Sequence, residues 1–130
     1  MVRGTDTFRV YVDKAGDLHF QDVSHVVSTL TNVANGKVVY VDNASRDAWS
    51  ESGVTNPDGT VTYTDVLTGM IVRVYTAHSS TLVKDVGYLS IVDTVDAQGN
   101  FLDEHLVSHG PHPFAGDFEV FCDAITAAIG

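Results

Sequence analysis

Turn-forming residues punctuate the chain at short, fairly regular intervals, and the segments between them are rich in Val, Thr, Tyr and Ile. The punctuation is "DKAGD" at 13–17, "NG" at 35–36, "NPDG" at 56–59, "TG" at 68–69, "AHSS" at 77–80 and "DAQGN" at 96–100. Spacing of this kind is the signature of strands joined by hairpins. Within the segments the side chains alternate. Phe8, Val10 and Val12 fall on one face and Arg9 and Tyr11 on the other, while Val61, Tyr63 and Leu67 alternate with Thr62, Thr64 and Thr68. Strands are expected near 5–13, 17–31, 36–50, 59–68, 70–77, 81–95 and 100–109, with a bulge near Asp22 to Ser24 where the alternation loses phase. Strands this long in a chain of 130 residues tend to curl. The fold class expected is therefore mainly β: an antiparallel meander of about seven or eight strands closing into a small barrel.

The period changes at the C-terminus. Phe118, Phe121, Cys122, Ile125 and Ile129 recur at three and four residues, so "DFEVFCDAITAAI" is expected to form a short amphipathic helix with Asp117 capping its first turn. Cys122, the single cysteine, sits among apolar residues and is expected to be a buried, inert thiol that forms no bridge. No linker, repeat or low-complexity tract divides the chain, and one domain over 1–130 is expected.

Seventeen acidic against seven basic residues give a formal charge of −10, which opposes binding to phosphate backbones and anionic lipid. Nucleic acid is not an expected partner. No apolar run is long enough to cross a bilayer, so membrane insertion is not expected either. The start of the chain lacks the apolar stretch of an export signal. The glycines lie in turns and follow neither phosphate-loop nor dinucleotide spacing, and no cofactor is expected.

The segment "HLVSHGPHP", residues 105–113, holds three of the six histidines and two of the three prolines. On a strand, His105 and His109 would lie roughly 13 Å apart, too far to share an ion. His109 and His112, flanking Gly-Pro, could approach within about 7 Å in a tight turn. Zinc sites ordinarily show a second clustered pair, which is absent here, and His78 or Glu119 would be arbitrary further ligands. No metal is expected. Gly110, Pro111 and Pro113 instead make the segment a corner that ends the ladder and sends the chain into the helix. His19 and His25 read as surface or satisfied strand histidines.

The aromatic residues Tyr11, Tyr40, Trp49, Tyr63, Tyr75 and Tyr88, with Arg73 among them, suit the wall of a ligand cavity, since each tyrosine joins an apolar ring to a hydroxyl. Tyr40, Trp49, Tyr63, Tyr75, Tyr88 and Arg73 are the candidate ligand-binding set for a small, largely apolar molecule. Acid/base chemistry would draw on the mid-strand carboxyls Asp65, Asp85, Asp93 and Glu104, and the candidate catalytic residues are His105, Asp93 and Glu104. A serine elbow, a paired Cys/His arrangement and HExxH are all absent.

The stretch from "NPDGTVTYTDVLTG" through "DVGYLSIVDTVDAQGNFLDEHLVSHGPHPFAGDFEVFCDAITA", and above all its "HGPHP…FCD" ending, resembles small secreted actinobacterial proteins of unassigned function. The resemblance implies an extracellular protein in its mature form. Such proteins often carry an early second cysteine, which this chain lacks. A looser likeness of fold links the chain to small β-barrels of the allene oxide cyclase type. Three functions are thus expected to compete: a barrel binding a small apolar molecule in its lumen, a cofactor-free cyclase or isomerase, and a structural protein assembling as a homo-oligomer.

Overall fold

The computed structural model describes residues 1–78, 80–113 and 118–130. Its strands are β1 (Val2–Val12), β2 (Leu18–Thr31), β3 (Val38–Ser50), β4 (Val54–Thr55), β5 (Val61–Thr76), β6 (Thr81–Val95) and β7 (Phe101–His109), followed by one helix, α1 (Glu119–Ile129). They form a single antiparallel sheet in the order β1-β2-β3-β5-β6-β7, with β4 attached to β5. The meander expected from the turn spacing is therefore present.

The barrel is not. β1 pairs only with β2 and β7 only with β6, and every residue of both strands is exposed. The curl anticipated from strand length stops short of bringing these edges together. Two further expectations change. Segments 59–68 and 70–77 are one strand, because Gly69 adopts φ +103 within β5 and the chain does not turn there. The ladder runs unbroken past Asp22 to Ser24, and the register shifts lie instead at Asp42/Ala44, Met70/Val72, Val74/Tyr75 and Thr94/Val95.

The hairpin tips are organised by short polar side chains, as turn chemistry requires. The carboxylate of Asp13 accepts backbone hydrogen bonds from Ala15 and Asp17 at 2.8 and 3.0 Å. That of Asp96 accepts from the Gln98 and Asn100 backbones and from the Asn100 amide. These donors, the Asn100 side chain foremost, hold the Asp96 carboxyl below its ordinary range.

The registers fix which side chains share a face. Phe8, Phe20, Trp49, Asp65 and Asp93 lie on one face, and Val39, Val74 and Asp85 lie on the same face nearer the other end of the strands. Helix α1 packs against β3, β5 and β6, and Val39 and Val74, the buried hydrophobic residues, mark the area it covers. Its C-terminal carbonyls are satisfied by the β2–β3 turn: Asn32 and Asn35 donate to the Ile129 carbonyl at 2.7 and 3.0 Å, and Lys37 donates to Gly130. Cys122 is exposed, not buried. The predicted cap, Asp117, lies outside the described residues.

Between the covered and uncovered halves of this face runs a belt of small residues, Ser24 opposite Ser45, Ser45 opposite Gly69, Gly69 opposite Gly87. Gly87 has φ +136, and a Cβ there would stand 2.2 Å from the His109 carbonyl oxygen. Backbones approach closely along this belt, and only glycine fits at its β6 position.

Candidate functional site

Six carboxyl residues cross the uncovered half of the face, one on each long strand. Asp6 lies diagonal to Asp22, Asp22 is directly opposite Asp47, Asp65 and Asp93 follow on β5 and β6, and Asp93 is directly opposite Glu104. The strands place them there by alternation alone, since each is in phase with apolar neighbours on the same face, such as Phe8, Leu67 and Ile91. A row of like charges at strand spacing is destabilising unless protons are shared along it.

Two carboxyls of the row are raised. Burial, then the hydrogen bond and charge of Asp65, push the Asp47 carboxyl up to about 7. The neighbouring Asp6 raises the Asp22 carboxyl chiefly through a hydrogen bond. An Oδ1 atom of each of Asp22, Asp47, Asp65 and Asp93 is buried without a protein donor.

Asp47, Asp65 and Asp93 line an open cleft of about 360 Å³ with Trp49, Tyr63, Ser50 and Thr64. Trp49 is opposite Asp65, and Tyr63 is opposite Asp93. Trp49 is held by Phe20, with ring centroids 5.4 Å apart, and by Phe8 at 6.0 Å. The cleft therefore has a fixed aromatic wall and a carboxyl floor with unused acceptor capacity. It can take an apolar body and hold hydrogen-bond donors or a cationic group beneath it.

The candidate ligand-binding residues divide between the two faces. Trp49 and Tyr63 join Asp93 at this cleft. Tyr40, Tyr75, Arg73 and Tyr88 lie on the opposite face. There Arg73 donates to Asp42 at 2.7 Å and stands 4.6 Å over the Tyr75 ring, Tyr75 stacks on Tyr40 at 5.2 Å, and His25 approaches the other Asp42 oxygen at 3.7 Å. Tyr40 and Tyr75 also line a second open cleft of about 380 Å³ with Met1, Arg3, Val27 and Thr29. Tyr88 packs against His109, with centroids 5.8 Å apart.

The three candidate catalytic residues are likewise separated. Asp93 and Glu104 face each other across β6 and β7, whereas His105, opposite Val92, points to the other side of the sheet. The sheet cannot bring His105 and Asp93 to one reacting atom.

Asp47, the most perturbed carboxyl in the cleft, was absent from the candidate set. Its neighbours Arg46 and Ala48 give it no distinguishing local pattern, and only the β2–β3–β5 register brings it to Asp22 and Asp65. The sequence signal was a recurrence, one Asp per strand about midway along it.

The corner at "HGPHP" also acquires a partner. His112 Nδ1 lies 2.7 Å from Asp85 Oδ1, with side-chain exposures of 3% and 4%, and the Val86 amide donates to the Pro111 carbonyl at 3.1 Å. His112 is thus engaged with a carboxylate on β6, and it anchors the chain as it leaves the sheet. Among the described residues no group of three or more His, Cys, Asp or Glu side chains is placed to hold a metal ion, and no helix is long and apolar enough to cross a membrane. No family model, curated protein or solved structure matches the chain.

Proposed function

We propose that the protein binds a small organic molecule with an apolar body and a cationic or hydrogen-bond-donating head in the cleft between β3, β5 and β6. The carrying observation is the Asp47–Asp65 pair set beneath Trp49 and Tyr63, with buried carboxyl oxygens that have no donor from the protein. The apolar body would lie along the rings, and the head would supply the missing donors. The resemblance of the C-terminal half to secreted actinobacterial proteins supports an extracellular setting for this binding.

Calorimetric titration with tryptamine, beside indole-3-propionate, an acid with the same ring and linker, tests the reading. Tryptamine is expected to bind and the acid not to. Asp65→Asn and Tyr63→Ala are each expected to weaken tryptamine binding by about tenfold or more. Equal affinity for amine and acid, or amine binding unchanged in both variants, refutes it.

A second reading, a cofactor-free isomerase or cyclase, is favoured by one observation: Asp47 is raised to about 7 while it stands beside a second carboxyl. Two carboxyls with divided protonation suit general acid and base roles near neutral pH. In that case Asp47→Asn would retain binding of a molecule recovered from the native host and lose its conversion, followed by NMR.

A further inference from the structure

The sheet as a single copy leaves an unusual amount of surface open. A compact monomer of 14.0 kDa exposes about 6,700 Å². This chain exposes 8089 Å², an excess of about 1,400 Å². Part of it is apolar surface on the two edges: Val10 (51%) and Tyr11 (53%) on β1, and Phe101 (64%) and Leu102 (53%) on β7. Both edges also present unpaired backbone amides and carbonyls along their full length, which in a lone chain invite pairing with another strand.

We propose that two copies of the chain associate through these edges, β1 of each pairing antiparallel with β7 of the other. Three features select a second copy as the occupant. If each copy hid its excess, the pair would bury about 2,800 Å², within the range of obligate homodimers. The edges differ in charge, β1 carrying Arg3 and Arg9 against one acidic residue, Asp6, and β7 carrying Asp103 and Glu104 with no Lys or Arg, so each edge complements the other edge of an identical chain although the whole molecule is acidic. Strand directions also agree. The meander runs β1 and β7 antiparallel, and a twofold axis along the strands preserves that relation between copies. A register with Arg9 opposite Asp103 sets Val10 opposite Leu102, so a charged pair and an apolar pair stand side by side across the seam.

Size-exclusion chromatography with light scattering, on the full chain at micromolar concentration, tests the proposal. The expected mass is twice 14.0 kDa. Arg9→Glu and Asp103→Arg are each expected to raise the dissociation constant about tenfold or more, and the double variant to restore it, because the charges are exchanged across the same contact. Both positions are exposed, and unchanged far-UV circular dichroism establishes that the variants fold. A monomeric wild type, a dimer indifferent to either single reversal, a double variant no tighter than the singles, or a mass made up by a different co-purifying polypeptide overturns it.

Discussion

Asp47 shows how one residue can make this protein's stability depend on pH. Its carboxyl is raised in the folded chain to about 7 from an ordinary value of 3.8, with desolvation the largest cause and Asp65 next. Between those two values the folded state binds the proton more tightly than the unfolded state, so stability falls as pH rises from about 4 to about 7. Partial exposure screens the effect, and Asp47→Asn is expected to be more stable than the wild type by about 1 kcal/mol near pH 8, and nearly equal to it near pH 4. Thermal melts across that range measure the difference. A parallel gap between the two curves at all pH values would show that Asp47 is not the titrating group. His112 supports the fold through its contact with Asp85. Removing the imidazole leaves Asp85 buried at 4% exposure with its 2.7 Å partner gone. His112→Ala is expected to cost about 3–5 kcal/mol, and Asp85→Asn much less, because the amide can still bond the ring. Urea denaturation of both variants distinguishes this from simple loss of packing, which would not spare Asp85→Asn.

At the scale of elements, the belt of small residues makes the sheet what it is. In Gly87→Ala, a methyl group would be driven to 2.2 Å from the His109 carbonyl on the neighbouring strand, at a φ of +136. The β6–β7 ladder would have to shift, with an expected cost of about 2–4 kcal/mol. Gly16→Ala is the control, because Gly16 has φ +96 at an open hairpin tip with nothing within 4 Å, and its cost is expected to be about 1 kcal/mol. Similar losses for the two variants in urea denaturation would mean that the close approach carries no special strain. This belt also explains what sequence reading could and could not reach. Alternation and Asp/Gly-rich tips placed the strands well, because both are local signals. Gly69 was read as a turn because Thr-Gly between two apolar runs has the composition of one, and only the β3 and β6 backbones on either side hold it in a strand. The corner at 110–113 was legible from Gly and Pro alone. Its anchor was not, since Asp85 stands 27 positions from His112. The carboxyl row lay hidden for the same reason: six acidic residues on six strands become neighbours only through register, and a one-residue slip of any strand would send its member to the other face. Barrel closure, inferred from strand length, failed because length sets how far a sheet can curl and leaves open whether its last edges meet within one chain.

On the scale of the whole molecule, stability should depend on how much protein is present. Val39 and Val74 are the only buried apolar residues among those described, a slender core for a chain of 130 residues. Most of the remaining apolar surface lies on strands that a single copy leaves half-covered or exposed, so the hydrophobic contribution to folding is incomplete without association. When folding and pairing are coupled in this way, the folded dimer gains by mass action and the melting temperature rises with protein concentration. Each tenfold increase adds about 1.4 kcal/mol per dimer, which for a unit of this size corresponds to about 3 °C. Differential scanning calorimetry over a hundredfold range of concentration, at fixed pH and salt, should therefore show a rise of about 6 °C for the wild type. For Arg9→Glu, whose edge repels the acidic β7 of its partner, the melting temperature should lie below wild type at every concentration and rise with concentration in parallel to it. A wild-type melting temperature constant over the whole range would mean that one copy of this open sheet is stable by itself, and that its two bare edges do not need to be covered for it to fold.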